Sequence, residues 1–337
     1  MGDVGLRSVD VLKDKDRDQT SPPISVCSHG VASVEELRRV VPTAQTEVTQ
    51  VDRGCLNGAL THFSIGGLPL DLGRFSLGVR SRGVVSGDRI TIGMLTGRTN
   101  RVTHWSYDME PGDVVVWSPK TEHDARYYGG ASVSVISLTI SDLESIFGSE
   151  PRWSEPGAWT RNHYRPAAQE GVRNIGIIRE SVAGLQANGA RLSTDAAEFW
   201  KRAIIEAMTA TILKESPSDI DSSLSSALRI VGKVEDQIDA DGSKPIHISE
   251  ICGRLRVSRR TLHRAFHDAV GLGPIAYLRS KRLSAAQRTL RNSDPIKTTV
   301  TQVALEHGFA NLGRFCGEYY SQFNEYPSRT LGAHYRR

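Results

Sequence analysis

The sequence predicts an α+β protein of several domains, with an N-terminal β-sandwich or jelly roll, a helical connector and a C-terminal all-α module of two helix-turn-helix units. Three observations support this fold class. Short runs with period-two alternation fill residues 46–140, apolar stripes at helical spacing follow them, and one sequence pattern occurs twice after residue 246. A chain of 337 residues is long enough to bury roughly two such cores.

The expected boundaries place a disordered tail at 1–30, the β-rich domain at 31–145, the connector at 146–222 and the helical module at 223–337. The tail is rich in Asp, Lys, Ser and Pro, which favours disorder. In the β-rich part, turn signals recur about every ten residues. Pro111-Gly112-Asp113 leads into the apolar run 114–117, and such turn-strand-turn units are common in jelly rolls.

Two helices are expected in the connector, over 172–187 and 194–214. In the second helix the apolar residues recur at helical spacing, and these residues are Ala197, Ile204, Ile205, Met208 and Ile212. The first interpretation of this stripe is packing against the β-rich domain, and a homodimer interface is the second. Residues 216–225 hold Pro217 and five serines, and they are expected to form the linker to the helical module.

The helical module is expected to contain a duplicated unit, with helix-turn-helix motifs at 248–269 and 300–323. Apolar positions 248, 251, 252 and 257 recur at 300, 303, 304 and 309 with a constant offset of 52. Leu262 and Phe266 recur as Phe315 and Tyr319 with an offset of 53, so the second turn is one residue longer. Two such units in tandem suit two neighbouring segments of the DNA major groove.

Charge separates this module from the rest of the chain. From residue 246 to the C-terminus the chain has 15 Lys and Arg and 6 Asp and Glu, a net charge of +9. The whole chain has a net charge of +4, so the residues before 246 have a net charge of −5. A basic module on a mildly acidic body indicates a polyanionic partner for the module alone. A solvated helix face explains the charge equally well if the duplicated motif is left aside.

The second helix of the first unit is expected to read DNA bases. It begins after Ser258, a good N-cap. Its outward stripe consists of basic side chains at i, i+3, i+4 and i+7, namely Arg260, His263, Arg264 and His267, and Arg259 stands beside them at the start of the helix. An Arg in this place can pair with O6 and N7 of guanine, which is worth roughly 1–3 kcal/mol of discrimination. A merely solubilising face is the alternative, and the tandem motif favours DNA.

The second unit has weaker chemistry for reading bases. Its outward positions include Leu312, Gly313, Arg314 and Gly317, of which only Arg314 suits a base contact. We therefore expect this unit mainly to dock on the DNA backbone. A long helix that starts at Gly273-Pro274 separates the two units by about one turn of DNA. Its basic residues are expected near DNA phosphates, with Arg282 and Arg291 as the candidates.

The helical module resembles the AraC/XylS family of bacterial transcription regulators. The resemblance rests on residues 248–266, 273–283 and 300–309, on Phe315 and Phe323, and on the ending Tyr326-Pro327-Ser328, and it covers roughly the last quarter of the chain. It implies a DNA-binding module preceded by a cupin-like domain for effector binding or dimerisation. The residues matching family base-contacting sites are Arg260, His263 and Arg264 in the first unit and Leu312, Gly313, Arg314 and Gly317 in the second.

Two positions depart from the family pattern. Arg256 stands where the first turn often has Gly. Gly317 stands where the second reader helix often has a polar or basic residue, which predicts weaker base reading by the second unit.

A metal-dependent cupin enzyme with an accessory nucleic-acid-binding module is the alternative for the N-terminal half. It would need two or three His and a carboxylate around one ion. His104, His123, His62 and Asp124 are available, but no His-x-His pair occurs. We therefore expect no metal, no cofactor and no catalytic residue. A ligand pocket is favoured instead, with Trp105, Tyr107, Trp117 and His123 as candidate lining residues. A constitutive regulator without ligand also stays open.

The remaining features concern partners and compartment. The 4 cysteines have no zinc-type or disulfide-type spacing, the polar N-terminus has no signal-peptide pattern, and no apolar run approaches the roughly 18 residues of a membrane span. A cytoplasmic protein is expected. The expected partners are double-stranded promoter DNA, a small-molecule effector, RNA polymerase and a second copy of the chain, with no membrane. The identity of the effector, the promoter and the sign of regulation stay open.

Overall fold

The computed structural model describes residues 23–36, 45–105, 107–147, 162–214, 218, 222–240 and 247–332. Its N-terminal half consists of two antiparallel sheets and its C-terminal half is helical, which confirms the predicted fold class. The sheets face each other without closing into a barrel, so the domain is a sandwich of the cupin-like type. Within the described residues, no helix is long and apolar enough to span a membrane.

Sheet A has seven strands in the order β1-β3-β4-β11-β6-β9-β12. Their bounds are β1 Ile24–Val31, β3 Gly58–Ile65, β4 Leu68–Phe75, β6 Ile90–Arg98, β9 Val114–Trp117, β11 Ala131–Leu138 and β12 Asn162–Tyr164. Sheet B has five strands in the order β2-β5-β10-β7-β8. Their bounds are β2 Gln45–Gln50, β5 Val79–Val84, β7 Val102–His104, β8 Tyr107–Asp108 and β10 Glu122–Tyr127.

Strand β1 corrects the expectation of a disordered tail over 1–30. Residues 24–31 pair in antiparallel register with the whole of β3. Ile24 and Val31 at the two ends of the strand are buried, whereas the six residues between them are exposed. An edge strand with so polar a middle lacks the apolar alternation by which strands are recognised, and pairing with β3 supplies its stability. Residues 1–22 of the expected tail lie outside the described residues.

Three helices cover the outer face of sheet A, namely α1 Ile140–Phe147, α2 Ala168–Asn188 and α3 Thr194–Lys214. The apolar stripe of α3 is buried in one core with the outward residues of sheet A, including Leu70, Ile92 and Ile136. The first interpretation of that stripe, packing against the β-rich domain, is therefore confirmed. A second core lies between the two sheets.

The helical module begins with α4 Ser222–Ala240, so the helix starts inside the segment expected to be a linker. The first unit consists of α5 Ile248–Leu255 and α6 Arg259–Val270, and the second consists of α8 Val300–Glu306 and α9 Leu312–Phe323. Between them runs α7 Pro274–Asn292, and α10 Pro327–Leu331 closes the module. From first to last helix the units span 248–270 and 300–323, beside the expected motifs at 248–269 and 300–323.

Each unit has its own core and its own cap at the reader helix, the second helix of the unit. Leu262 and Phe266 are fully buried with α4 and α5, while Phe315 and Tyr319 are fully buried with α8 and α10. Ser258 Oγ accepts a hydrogen bond from the backbone N–H of Thr261 at 3.0 Å, which confirms the predicted N-cap. In the second unit the side chain of Asn311 plays the same part.

Candidate DNA interface and ligand cavity

The reader helix of the first unit presents a continuous basic stripe to solvent. Its inward residues Leu262, Ala265, Phe266 and Ala269 are buried, as helical spacing predicts. The outward residues are all exposed, and they are Arg259, Arg260, His263, Arg264 and His267. Because the stripe begins in the first turn of α6, the guanidinium groups lie at the end of the helix that enters a groove first in helix-turn-helix proteins.

The second reader helix presents less charge. Leu312, Gly313, Arg314 and Gly317 are exposed, but Arg314 Nε donates a hydrogen bond to Glu318 Oε1 at 2.9 Å. That carboxylate must be released, or shared, before the guanidinium of Arg314 can pair with a base. The chemical difference between the two units expected from the sequence therefore extends to the ion pairs around each stripe.

Arg282 and Arg291, the two candidates on α7, are both engaged inside the protein. The Arg282 guanidinium lies 5.2 Å from the ring centroid of Phe309. Burial lowers the pKa of Arg282, and the neighbouring charge of Arg279 lowers it further. Arg291 pairs with Glu36 of the N-terminal domain at 3.2 Å and with Glu325 at 3.4 Å. A DNA contact by either residue stays a prediction, and for Arg291 it would require breaking a contact between the domains.

The basic side of α7 faces the N-terminal domain rather than solvent. Three basic residues of the helix pair with the N-terminal domain here. Lys281 Nζ pairs with Glu47 Oε2 at 3.1 Å, and Arg291 pairs with Glu36. Arg288 pairs with Glu35 Oε2 at 3.4 Å through Nε and with Glu47 Oε1 at 4.0 Å through Nη2. The sequence predicted that basic residues of this helix approach DNA phosphates, and these three are turned toward acidic residues instead. Their partners come from more than 200 positions away, which no local pattern reveals.

Arg80 on β5 forms the centre of this junction. Its side chain is 1% exposed, and it donates hydrogen bonds to both carboxylate oxygens of Asp124 on β10, at 3.2 and 3.0 Å. It also donates to Glu235 on α4 at 2.7 Å and to the hydroxyl of Tyr277 on α7 at 3.2 Å. Burial alone would lower the pKa of Arg80, but the attraction of Asp124 and Glu235 outweighs it and raises the pKa well above its ordinary value.

Both reader helices are attached to sheet B through hydrogen bonds at their last turns. Arg126 Nε on β10 donates to the carbonyl oxygen of Val270 at 3.1 Å, at the end of α6. Gln50 on β2 and Gln322 on α9 exchange two hydrogen bonds, each from a side-chain amide to the other residue's carbonyl oxygen, at 2.9 and 3.0 Å. The opposite ends of both helices, where base contacts are expected, point away from these attachments.

A cavity of about 720 Å³ lies between the two sheets. Apolar side chains from both sheets form its walls, and they include Val48, Leu60, Leu95, Val102, Val133 and Val135. The loop between β5 and β6 contributes residues 86–89 to the lining, of which Gly87 and Asp88 are exposed and Ser86 and Arg89 are half-buried. This volume and this mixture of apolar walls with a few polar groups are typical of sites for small organic molecules.

Two histidines give the cavity its main buried polar group. His104 Nε2 and His123 Nδ1 are 2.9 Å apart, and both rings pack against the indole of Trp117. Burial lowers the pKa of His123 to about 4, so this imidazole is neutral at pH 7. The indole N–H of Trp117 has no hydrogen-bond partner within the described part of the chain.

Two of the four predicted ligand residues line the cavity and two do not. Trp117 and His123 lie on its wall, beside His104 and Tyr127. Trp105 has a positive φ of 49°, and its indole N–H donates to the carbonyl of Glu122 at 2.9 Å beside a cleft against α4. Tyr107 stacks on His163 and donates to the carbonyl of Ser218 at 3.2 Å. The period-two alternation of β10 could have revealed His123 and Tyr127 together.

Of the four candidate metal ligands, His104 and His123 lie together, but Asp124 and His62 pair with other residues. Asp124 points to Arg80, and His62 Nδ1 pairs with Asp71 at 2.6 Å. Within the residues that the structure describes, no group of three or more His, Cys, Asp or Glu is placed to share a metal ion.

Comparison with known proteins links both halves of the chain to regulators. A helix-turn-helix domain family model matches residues 251–333. The XylDLEGF operon transcriptional activator 1 of Pseudomonas putida is 26% identical over 289 residues, covering 81% of this chain and 84% of that protein.

Two solved structures of regulators are also similar to parts of this chain. The crystal structure of a probable AraC family transcriptional regulator from Rhodopseudomonas palustris is 37% identical and covers 31% of this chain and 96% of that one, with a TM-score of 0.29. The AraC-like transcriptional activator CuxR is 15% identical and covers 79% of this chain and 96% of that one, with a TM-score of 0.42. The duplicated helix-turn-helix module and the match of the family model lead to one conclusion: residues 251–333 form a helix-turn-helix domain of the AraC type, and the chain as a whole is similar to a transcription activator of that family.

Proposed function

We propose that this protein regulates transcription by sequence-specific binding to double-stranded DNA, under the control of a small molecule in the cavity between the two sheets. The observation that carries the proposal is the exposed basic stripe of α6, repeated in weaker form on α9. The names of similar proteins favour activation as the direction of control. Contact with RNA polymerase and formation of a homodimer stay predictions.

The first unit would supply most of the sequence preference. Arg260 and Arg264 are exposed cations without an ion pair among the described residues, so they can meet base edges without losing a partner. His263 and His267 can donate to a base or a phosphate. The second unit, where Glu318 already pairs with Arg314, would mainly position the module on the backbone.

Sheet B is suited to couple the cavity to the DNA-binding module. Along β10 the side chains alternate, so that His123 and Tyr127 face the cavity while Asp124 and Arg126 face the helical module. A ligand that moves the inner face of this strand would therefore also move the residues that hold α6 and α7. Since α9 is attached to β2 of the same sheet, such a movement would change the orientation of both reader helices.

A metal-dependent cupin enzyme is the weaker candidate. A relative that matches 81% of the chain is a transcription activator, and the candidate metal ligands His62 and Asp124 are committed to other contacts. A constitutive regulator is also less well supported. Protein interiors are normally close-packed, and a cavity of about 720 Å³ would have no ligand to fill it in such a regulator.

DNA binding itself is tested with duplexes selected from a random pool. We expect the full-length protein to bind a selected duplex at least 100-fold more tightly than a random one, in line with the roughly 10³–10⁷-fold range of specific regulators. We also expect affinity to fall with salt by about 0.9 logarithmic units per phosphate contact for each tenfold rise in salt. Fluorescence anisotropy at several salt concentrations measures both, and equal affinity for selected and random duplexes would contradict the proposal.

A further inference from the structure

The two helix-turn-helix units close their turns with the same hydrogen bonds. In the first unit the N–H of Arg256 bonds to the carbonyl of Gly253 at 3.3 Å, and the N–H of Val257 bonds to that of Cys252 at 3.1 Å. In the second unit Gly308 bonds to Leu305 at 3.0 Å, and Phe309 bonds to Ala304 at 2.8 Å. All four positions are related by the offset of 52, so Arg256 and Gly308 occupy one and the same structural position.

That position requires left-handed backbone, which glycine adopts freely and other residues do not. Gly308 has a φ of 76° and Arg256 has a φ of 53°. The Cβ of an L-residue approaches the following carbonyl oxygen in this conformation, so Arg256 makes the first turn less stable than Gly would. The second unit avoids this strain with the residue expected there. An outlier of this kind in a binding motif points to a use for the side chain.

The Arg256 side chain forms no ion pair within the described part of the chain. It is exposed, and no carboxylate there lies within ion-pair distance of its guanidinium. It stands two residues before Ser258, the N-cap of α6, and close in sequence to the exposed Arg259 and Arg260. Cations so near one another repel, which raises the free energy of the unbound protein. An anion that binds among them relieves this repulsion.

We propose that the Arg256 guanidinium contacts a phosphate of the DNA backbone next to the groove that α6 enters, and so anchors the first unit. The inference rests on the proposed DNA binding and adds a residue outside the reader helices. Phosphate is the anion that the position favours, because contacts from the turn reach the backbone that flanks the groove rather than the base edges. In the first unit, the cost of the strained turn is thus offset by tighter binding to DNA. In the second unit Gly308 occupies the same position, so that unit lacks both the strain and the phosphate contact.

The test compares Arg256→Gly and Arg256→Asn with the wild type, using fluorescence anisotropy on a selected duplex at several salt concentrations. Both variants tolerate left-handed backbone and lack the charge. We expect affinity to fall about 3- to 10-fold at 0.15 M salt, the slope of log Kd against log salt to fall by about 1, and base preference to stay unchanged. Arg256→Lys should keep most of the slope. Arg202→Ala, an exposed Arg on α3, is the control and should change neither quantity.

Thermal stability supplies the second readout. We expect Arg256→Gly to raise the Tm by about 1–3 °C, because relief of strain exceeds the greater freedom of Gly in the unfolded chain. Weaker DNA binding by a more stable protein cannot arise from damage to the fold. Unchanged affinity and salt slope in Arg256→Gly would overturn the inference, as would a loss confined to one base pair. If the wild type itself does not prefer a selected duplex, the proposed function fails, and that result is distinct from either of these.

Discussion

Replacing Arg80 with Met is expected to destabilise the protein by about 3–5 kcal/mol, because two buried carboxylates lose their shared cation. Met keeps much of the length of the side chain and removes the charge, leaving Asp124 and Glu235 facing each other across the junction. Burial already raises the pKa of Glu235 above its usual value, and loss of Arg80 would raise it further. Guanidinium unfolding followed by tryptophan fluorescence measures the loss.

The matched control for this variant is Arg82→Met on the same strand face. Arg82 is 20% exposed and pairs with Glu122 and Asp236, which are 42% and 63% exposed. It also lies 3.5 Å from the buried Glu235, but that carboxylate keeps its closer partner Arg80 at 2.7 Å when Arg82 is replaced. Ion pairs open to water contribute about 0–1 kcal/mol, so this change should cost far less. Equal losses in the two variants would show that Arg80 does not centre the junction. Because the chain has several domains, the midpoints of individual transitions are compared.

The second large effect is expected from Arg264→Ala in the first reader helix. We expect affinity for the best wild-type duplex to fall about 10- to 100-fold, which corresponds to the loss of roughly 1–3 kcal/mol from one guanidinium–guanine pair. Preference at one base pair should relax, while the other positions keep theirs. Sequencing of duplexes selected from a random pool by the wild type and by the variant measures both changes.

Arg314→Ala is the comparison for this experiment. Its guanidinium is already paired with Glu318, so we expect a smaller loss of affinity and little change in base preference. If Arg314→Ala relaxes a base pair and Arg264→Ala does not, the assignment of the two units is reversed. Arg291→Ala, which removes an expected phosphate contact, would be a poor control, because the replacement would also break the ion pair with Glu36.

The two helix-turn-helix units could be placed from the sequence because their signals are local, whereas the start of α4 inside the expected linker could not. Ser258 caps α6, Pro274 starts α7, and the offset of 52 fixes the second unit from the first. Burial follows helical spacing, so the exposed stripe of α6 could be read directly. The same repeat also shows where one unit departs from the other, as at Arg256 and Gly308.

The junction and the cavity could not be predicted in this way because their contacts are not local. Arg80 meets Glu235 and Tyr277 across 155 and 197 positions, and nothing near Arg80 in the sequence indicates either partner. The cavity wall depends on which face each strand turns inward. Trp105 is expected in the cavity but lines a cleft against α4, and its positive φ is a backbone feature that the sequence does not reveal.

The central claim is that a molecule in the cavity changes the affinity of the module for DNA, and one measurement tests it directly. A small molecule is first found by its effect on the Tm, starting with aromatic acids and amines, since ligand binding raises the Tm of a folded protein. The Kd for a selected duplex is then measured with and without it, in the wild type and in Val135→Trp, whose indole would fill part of the cavity. Val172→Trp, on the exposed face of α2, is the control.

We expect the ligand to change the Kd of the wild type and of Val172→Trp several-fold and to leave that of Val135→Trp unchanged. An unchanged Kd in the wild type at saturating ligand, or an equal response in Val135→Trp, would contradict control of DNA binding through this cavity.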